Sequence, residues 1–180
     1  MTLHQHVVVG VDGSLVSTRA LDLAADEAAR RAAALRVVFA VSDRDEAGPV
    51  LAAAFSRVHE RYPALFVAVT AAEGDVLREL TRESADAALT VVGTRGLGGF
   101  AGLVFGAVSP RLAAHTRGPL LVVRGDRPQA DDHRDVLLGL EDDTDTEAAR
   151  YAMEEAERRG PDSGSCTPGR TGTRRPNCLH

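Results

Sequence analysis

Five short apolar runs, spaced so that one helix fits between each and the next, constrain this chain more than any other feature. They are residues 7–11 (Val-Val-Val-Gly-Val), 35–41, 65–71, 89–92 and 120–123. Continuous apolarity, rather than alternation, marks strands covered on both faces. The stretches between them carry helical periodicity. Ala20, Leu21, Ala24, Ala28 and Ala32 give residues 17–34 a small apolar face, with Ser14 or Ser17 as its cap. Further helices are expected from Pro49 to about Tyr62, from Asp75 to Ala85, and ending near His115. Strands and helices that alternate through short connections make an open parallel sheet with helices on both faces. The run Leu120–Val123 falls at a sheet edge, and so apolar an edge calls for a cover, most simply a second copy of the chain.

The fourth run empties into residues 93–109, Gly-Thr-Arg-Gly-Leu-Gly-Gly-Phe-Ala-Gly-Leu-Val-Phe-Gly-Ala-Val-Ser. Two residues separate Gly93 from Gly96, and nine separate Gly96 from Gly106. A strand, a glycine-rich loop and a helix in that order can hold phosphate, because glycine admits close approach and the helix start presents unpaired N–H groups. The plain alternative is a flexible surface loop. In open parallel sheets, ligands sit beyond the carboxyl ends of the strands. There Asp12 can accept hydrogen bonds from sugar hydroxyls or help to hold Mg2+, or else simply cap the turn before the first helix. Val41 ends the second strand, as a contact for a flat base or as plain core. Arg95 neutralises phosphate or is a solvated loop residue, and Ser109 donates its hydroxyl to phosphate or within its helix.

Other chemistries lack their residues. No Gly-x-Gly-x-x-Gly follows the first strand, and no Gly-x-x-x-x-Gly-Lys-Ser/Thr occurs. Gly10–Ser14 has the outline of a nucleophile elbow, but Asp12 stands where serine belongs. The acidic run 141–145 lacks the glycine and terminal glutamate of a calcium loop, and His4 and His6 form no arranged metal site. With no placed nucleophile or acid–base pair, binding is expected rather than catalysis. A net charge of −5 and 4% aromatics argue against a nucleic-acid binder. No apolar run reaches membrane-spanning length, no signal peptide is evident, and Cys166 and Cys178 come too late to staple the fold. A cytoplasmic protein is expected.

Beyond a polar linker at 129–134 the N-terminus is echoed. Residues 136–143 resemble 8–14, and 148–160 resemble 20–32, so one strand and one helix of a second unit are expected over 135–160. Residues 161–180 have no periodicity and read as disordered. A tandem protein with a truncated second half is the simplest expectation, and a genuine C-terminal arm the other.

Together, the first strand with its acidic turn, the spacing of Gly93, Gly96 and Gly106, and the closing strand 119–124 resemble the universal stress protein family over residues 5–127. The resemblance implies a five-stranded parallel sheet of order 3-2-1-4-5, of the adenine nucleotide alpha hydrolase-like kind. It implies ATP binding with slow or no hydrolysis, a regulatory role in stress survival with protein partners unnamed, and homodimers paired along strand five. Carried over by position, Gly10 and Asp12 lie near the ribose and Val41 near the adenine. Gly93, Arg95, Gly96 and Gly99 line the phosphate loop, with Gly106, Ala107, Val108 and Ser109 at the helix start. Ala107 stands where the family's nucleotide-binding pattern has serine or threonine. Its backbone N–H remains, but one hydroxyl donor is lost, a cost of about 0.5–3 kcal/mol that Ser109 offsets in part. Weak ATP or AMP binding is therefore the expectation. A nucleotide-independent interaction module is the alternative.

Overall fold

The computed structural model describes residues 6–41, 47–94, 108–116, 118–124, 136, 138, 139 and 145–159. Ten elements follow in order: β1 (His6–Val11), α1 (Leu15–Arg30), β2 (Ala34–Val41), α2 (Ala47–Arg61), β3 (Val67–Glu73), α3 (Val76–Ser84), β4 (Leu89–Gly93), α4 (Val108–His115), β5 (Leu120–Val123) and α5 (Thr146–Arg159). The chain divides into two compact units, residues 1–127 and 128–180.

In the first unit all five strands form one parallel sheet of order β3-β2-β1-β4-β5, the order that the family resemblance implies. β1, the central strand, is buried on both faces, which its unbroken valines require. Val7, Val9 and Val11 point to one face and pack with Ala20, Leu21, Ala24 and Ala28 of α1 and Leu51, Ala54 and Val58 of α2. Val8 belongs to the opposite layer, with Leu77 and Leu80 of α3, Leu112 of α4 and Val92 of β4. The alanine face of α1 lets its backbone come close to the sheet. Charged pairs tie α1 to α2 at the surface. Arg57 grips both oxygens of Asp22 at 2.6 and 2.8 Å, and Tyr62 donates to Asp26 Oδ1 at 2.5 Å. Burial, and then Asp26, push the Tyr62 phenol above its ordinary range.

Several boundaries differ from the periodicity. α1 begins two residues before Ser17, because Ser14 is the cap and accepts the Ser17 N–H. It stops at Arg30 rather than near Ala34. Ala32 takes a left-handed φ of +49°, and the Ala32 and Ala33 N–H groups bond back to Ala29 and Ala28, closing a Schellman-type end. β3 lies two residues later than expected. A turn bonding the Leu65 N–H to the Tyr62 carbonyl uses up the start of the apolar run, and the strand continues to Glu73 before Gly74 turns it (φ +96°).

In the second unit, the expected helix is present as α5, laced by Arg150–Glu154 and by Glu155 with Arg158 and Arg159. Val136, Leu138 and Gly139, where the accompanying strand was expected, are not in a strand. Among the described residues, that unit has no neighbouring strand for them to pair with. Residues 161–180 lie outside the described residues.

Candidate functional site

β1 and β4 are parallel neighbours, with Val7, Val8 and Val9 opposite Leu89, Thr90 and Val91. Their carboxyl ends therefore open at one edge of the sheet. The chain leaves β1 toward β2 and leaves β4 toward β5, on opposite sides, so no crossover bridges the gap between the two ends. Crevices of this type are where open parallel sheets hold ligands. Asp12 follows β1, and Gly93 closes β4.

The turn after β1 is held by side chains. Asp12 Oδ1 accepts the Ser14 N–H at 3.0 Å, the short side-chain closure that lets aspartate end a strand. Gly13 follows with φ +80°, which a side chain would strain. Ser14 then caps α1, accepting the Ser17 N–H at 3.1 Å. The Ser14 carbonyl receives both the Ser17 and the Thr18 hydroxyls, at 2.9 and 3.0 Å.

The two glycines of the crevice have packing reasons of their own. A Cβ on Gly93 would stand 2.9 Å from Val16 Cγ1, 3.4 Å from the Val16 carbonyl carbon and 3.5 Å from the Ser17 nitrogen. The first turn of α1 is thus seated directly on the end of β4. A Cβ on Gly10 would meet Leu80 Cδ1 at 3.2 Å and Val92 Cγ1 at 3.5 Å, under α3. The missing side chain at position 10 makes room for the core on that face. Past Gly93, the Thr94 N–H donates to the Val123 carbonyl at 2.8 Å, which fixes the exit of β4 against β5.

α4 starts at the same carboxyl end of the sheet, beside the end of β5. Val108 is its first residue and Ser109 its second. Ser109 is only 2% exposed, and its Oγ has no hydrogen-bond partner among the described residues. A buried hydroxyl without a partner is costly and asks for an explanation. Beside it, Ser109, Pro110 and Ala113 of α4 and Val122 and Arg124 along β5 line an open, mostly apolar hollow of about 360 Å³.

The structure thus brings Gly10, Asp12, Gly93 and Ser109 to one unit, with Asp12 and Gly93 at adjacent strand ends. Val41 ends β2, the strand on the other side of β1, two residues beyond Phe39, the partner of Val11. Arg95, Gly96, Gly99, Gly106 and Ala107 lie outside the described residues. Ser17, Val16 and Thr94 were not singled out by motif. The signal for Ser17 was present, in a serine three residues after the capping Ser14. Among the described residues, no three His, Cys, Asp or Glu side chains converge to hold a metal ion, and no helix is long and apolar enough to cross a membrane.

Comparison with known proteins bears on this geometry. The universal stress protein family model matches residues 4–74 and 49–124. Universal stress protein Rv2623 of Mycobacterium tuberculosis is 37% identical over 132 residues, 66% of this chain and 44% of its own length. Universal stress protein Rv1996 of the same organism is 33% identical over 190 residues, 87% of this chain and 60% of its own length. That share is larger than the first unit alone can supply, so the likeness runs into the second. The chain spans about half the length of these curated relatives. A universal stress protein solved in complex with cAMP superposes with a TM-score of 0.57 at 31% identity, covering 67% of this chain and 96% of its own.

Proposed function

From the premise that the chain belongs to the universal stress protein family, we propose that it is a cytoplasmic, adenine-nucleotide-binding regulator of the stress response that binds ATP without acting as an enzyme. The observation that carries this reading is the buried Ser109 hydroxyl, which has no partner among the described residues at the start of α4. A phosphate oxygen is the acceptor that such a hydroxyl and the adjoining helix N–H groups suit. Asp12 offers its carboxylate to ribose hydroxyls, and Val41 and Gly10 belong to the base and ribose side. The cAMP complex of the 31% identical relative supports the same ligand class, a purine ribose carrying phosphate. The residues fit such a group, since the Asp12 carboxylate follows β1 and the Ser109 hydroxyl opens α4 at the same carboxyl end of the sheet. A bound Mg2+ would be held by the phosphates, and the Asp12 carboxylate would offer it a protein oxygen, hard ligands that suit this ion.

The test is purification without added nucleotide, followed by mass spectrometry of the small molecules released on denaturation. Calorimetric titration with ATP and Mg2+ accompanies it. Micromolar binding that is lost in Gly96→Val is expected. No released nucleotide and no heat of binding would overturn the reading.

Ala107 favours a second reading, a nucleotide-independent module that recognises regulatory proteins, because one phosphate-binding hydroxyl of the family's pattern is absent. Both readings include a homodimer through Leu120–Val123. Among the described residues β5 pairs with β4 alone, at the edge of the sheet, and Leu120, Leu121 and Val122 are each only half-buried. Sedimentation at micromolar concentration should give a dimer that Val122→Glu dissociates. A monomeric wild type would sink the dimer.

A further inference from the structure

We infer that Ser17 is a positioning residue for the ribose end of the nucleotide site, acting through Asp12. The inference rests on the nucleotide-binding reading above. Ser17 is only 4% exposed, and every polar atom it contributes to the first turn of α1 is engaged there. Its Oγ donates to the Ser14 carbonyl at 2.9 Å and accepts the Asp12 N–H at 3.3 Å. Its own N–H donates to Ser14 Oγ at 3.1 Å. Asp12 is thereby held at two points, the N–H by Ser17 and Oδ1 by the Ser14 N–H. A carboxylate pinned through both its backbone and its side chain keeps one orientation before a ligand arrives, and that lowers the ordering cost of binding.

Capping α1 does not require this. Ser14 already caps the helix, and the third helical residue ordinarily needs only its backbone N–H for that purpose. The Ser17 hydroxyl instead reaches five residues' separation back to the strand end. The same residue also lies against the other wall of the crevice, since its nitrogen is 3.5 Å from where a Gly93 side chain would begin. Ser17 therefore sets the end of β1 relative to the end of β4. A hydroxyl suits the position because it donates once and accepts as well. Alanine can do neither.

The experiment is a double-mutant cycle on ATP affinity, read by calorimetry in the full chain, with Ser17→Ala in the wild-type and Asp12→Ala backgrounds. Ser17→Ala is expected to weaken ATP binding about five- to tenfold, the range of one hydrogen bond. In the Asp12→Ala background the same change should cost nothing further, and Ser17→Thr, which keeps the hydroxyl, should restore most of the affinity. Equal affinity of Ser17→Ala and wild type would overturn the inference while leaving the nucleotide reading intact. An equal loss in both backgrounds would overturn it too, because Ser17 would then act without Asp12. A wild type that binds no ATP overturns the nucleotide reading and this inference together. Should Ser17→Ala fail to fold, Ser17→Cys carries the same comparison, filling the space with a poorer acceptor.

Discussion

The helices α1 and α4 start in opposite ways. At α1 the polar groups answer one another: Asp12 holds Ser14, Ser14 holds Ser17, and Ser17 reaches back to Asp12. At α4, Ser109 is as deeply buried as anything in the turn of α1, yet its hydroxyl has no partner among the described residues. The first start is complete in itself and serves to aim one carboxylate. The second is incomplete among the described residues, and under the nucleotide-binding proposal a phosphate oxygen would complete it.

The comparison can be broken most forcefully at its rigid side. Gly93→Val places a branched side chain where even a Cβ meets Val16 at 2.9 Å, and should destabilise the fold by about 3 kcal/mol. Val16→Ala in the same chain should return part of that in urea unfolding. A Gly93→Val protein with an unchanged midpoint would mean that α1 is not seated on β4. Ser14→Ala removes the cap and should cost about 1 kcal/mol, seen as a lower urea midpoint at constant slope. Ser109→Ala is the informative contrast. Removing a hydroxyl that has no partner among the described residues should leave stability unchanged or raise it by up to about 1 kcal/mol, while ATP affinity falls. A loss of stability as large as that of Ser14→Ala would show that Ser109 is bonded within the fold and that the two starts do not differ. Thr90→Val is the smallest effect and the control. Thr90 Oγ1 is also buried and without a partner among the described residues, but it sits within β4, away from the strand's carboxyl end. This change should stabilise by about 0.5 kcal/mol in thermal melts with ATP binding untouched.

Much of this was legible in the sequence because apolar runs report burial directly. The valines of β1 and the alanines of α1 belong to one core, and their periodicities state which faces meet. The strand order was legible only through the family resemblance, since nothing in the spacing says whether β4 lies beside β1 or beyond β3. The end of α1 was hidden because the usual stop signal, a glycine in the left-handed position, is replaced by Ala32. The shift of β3 was hidden because Leu65 and Phe66 are as apolar as the strand that follows, although Leu65 closes a turn. At the site, Asp12 and Gly93 announced themselves by residue type and position. Ser17 did not, because a serine near a helix start reads as a cap, and its bond to the strand end depends on a turn geometry that only the fold supplies.

The sheet order also sets a schedule. Of the five strands, the one made first becomes the middle of the sheet. Val7–Val9 can pair with Leu35–Val37 as soon as β2 is made, but their other edge waits for Leu89–Val91. During that interval a bare strand edge of valines is offered to any extended chain nearby, the condition in which parallel sheets fold slowly and mispair. A pause in translation between α2 and β4 should therefore lower the yield of native protein more than one placed after β5. For this chain, the order of synthesis is itself a hazard.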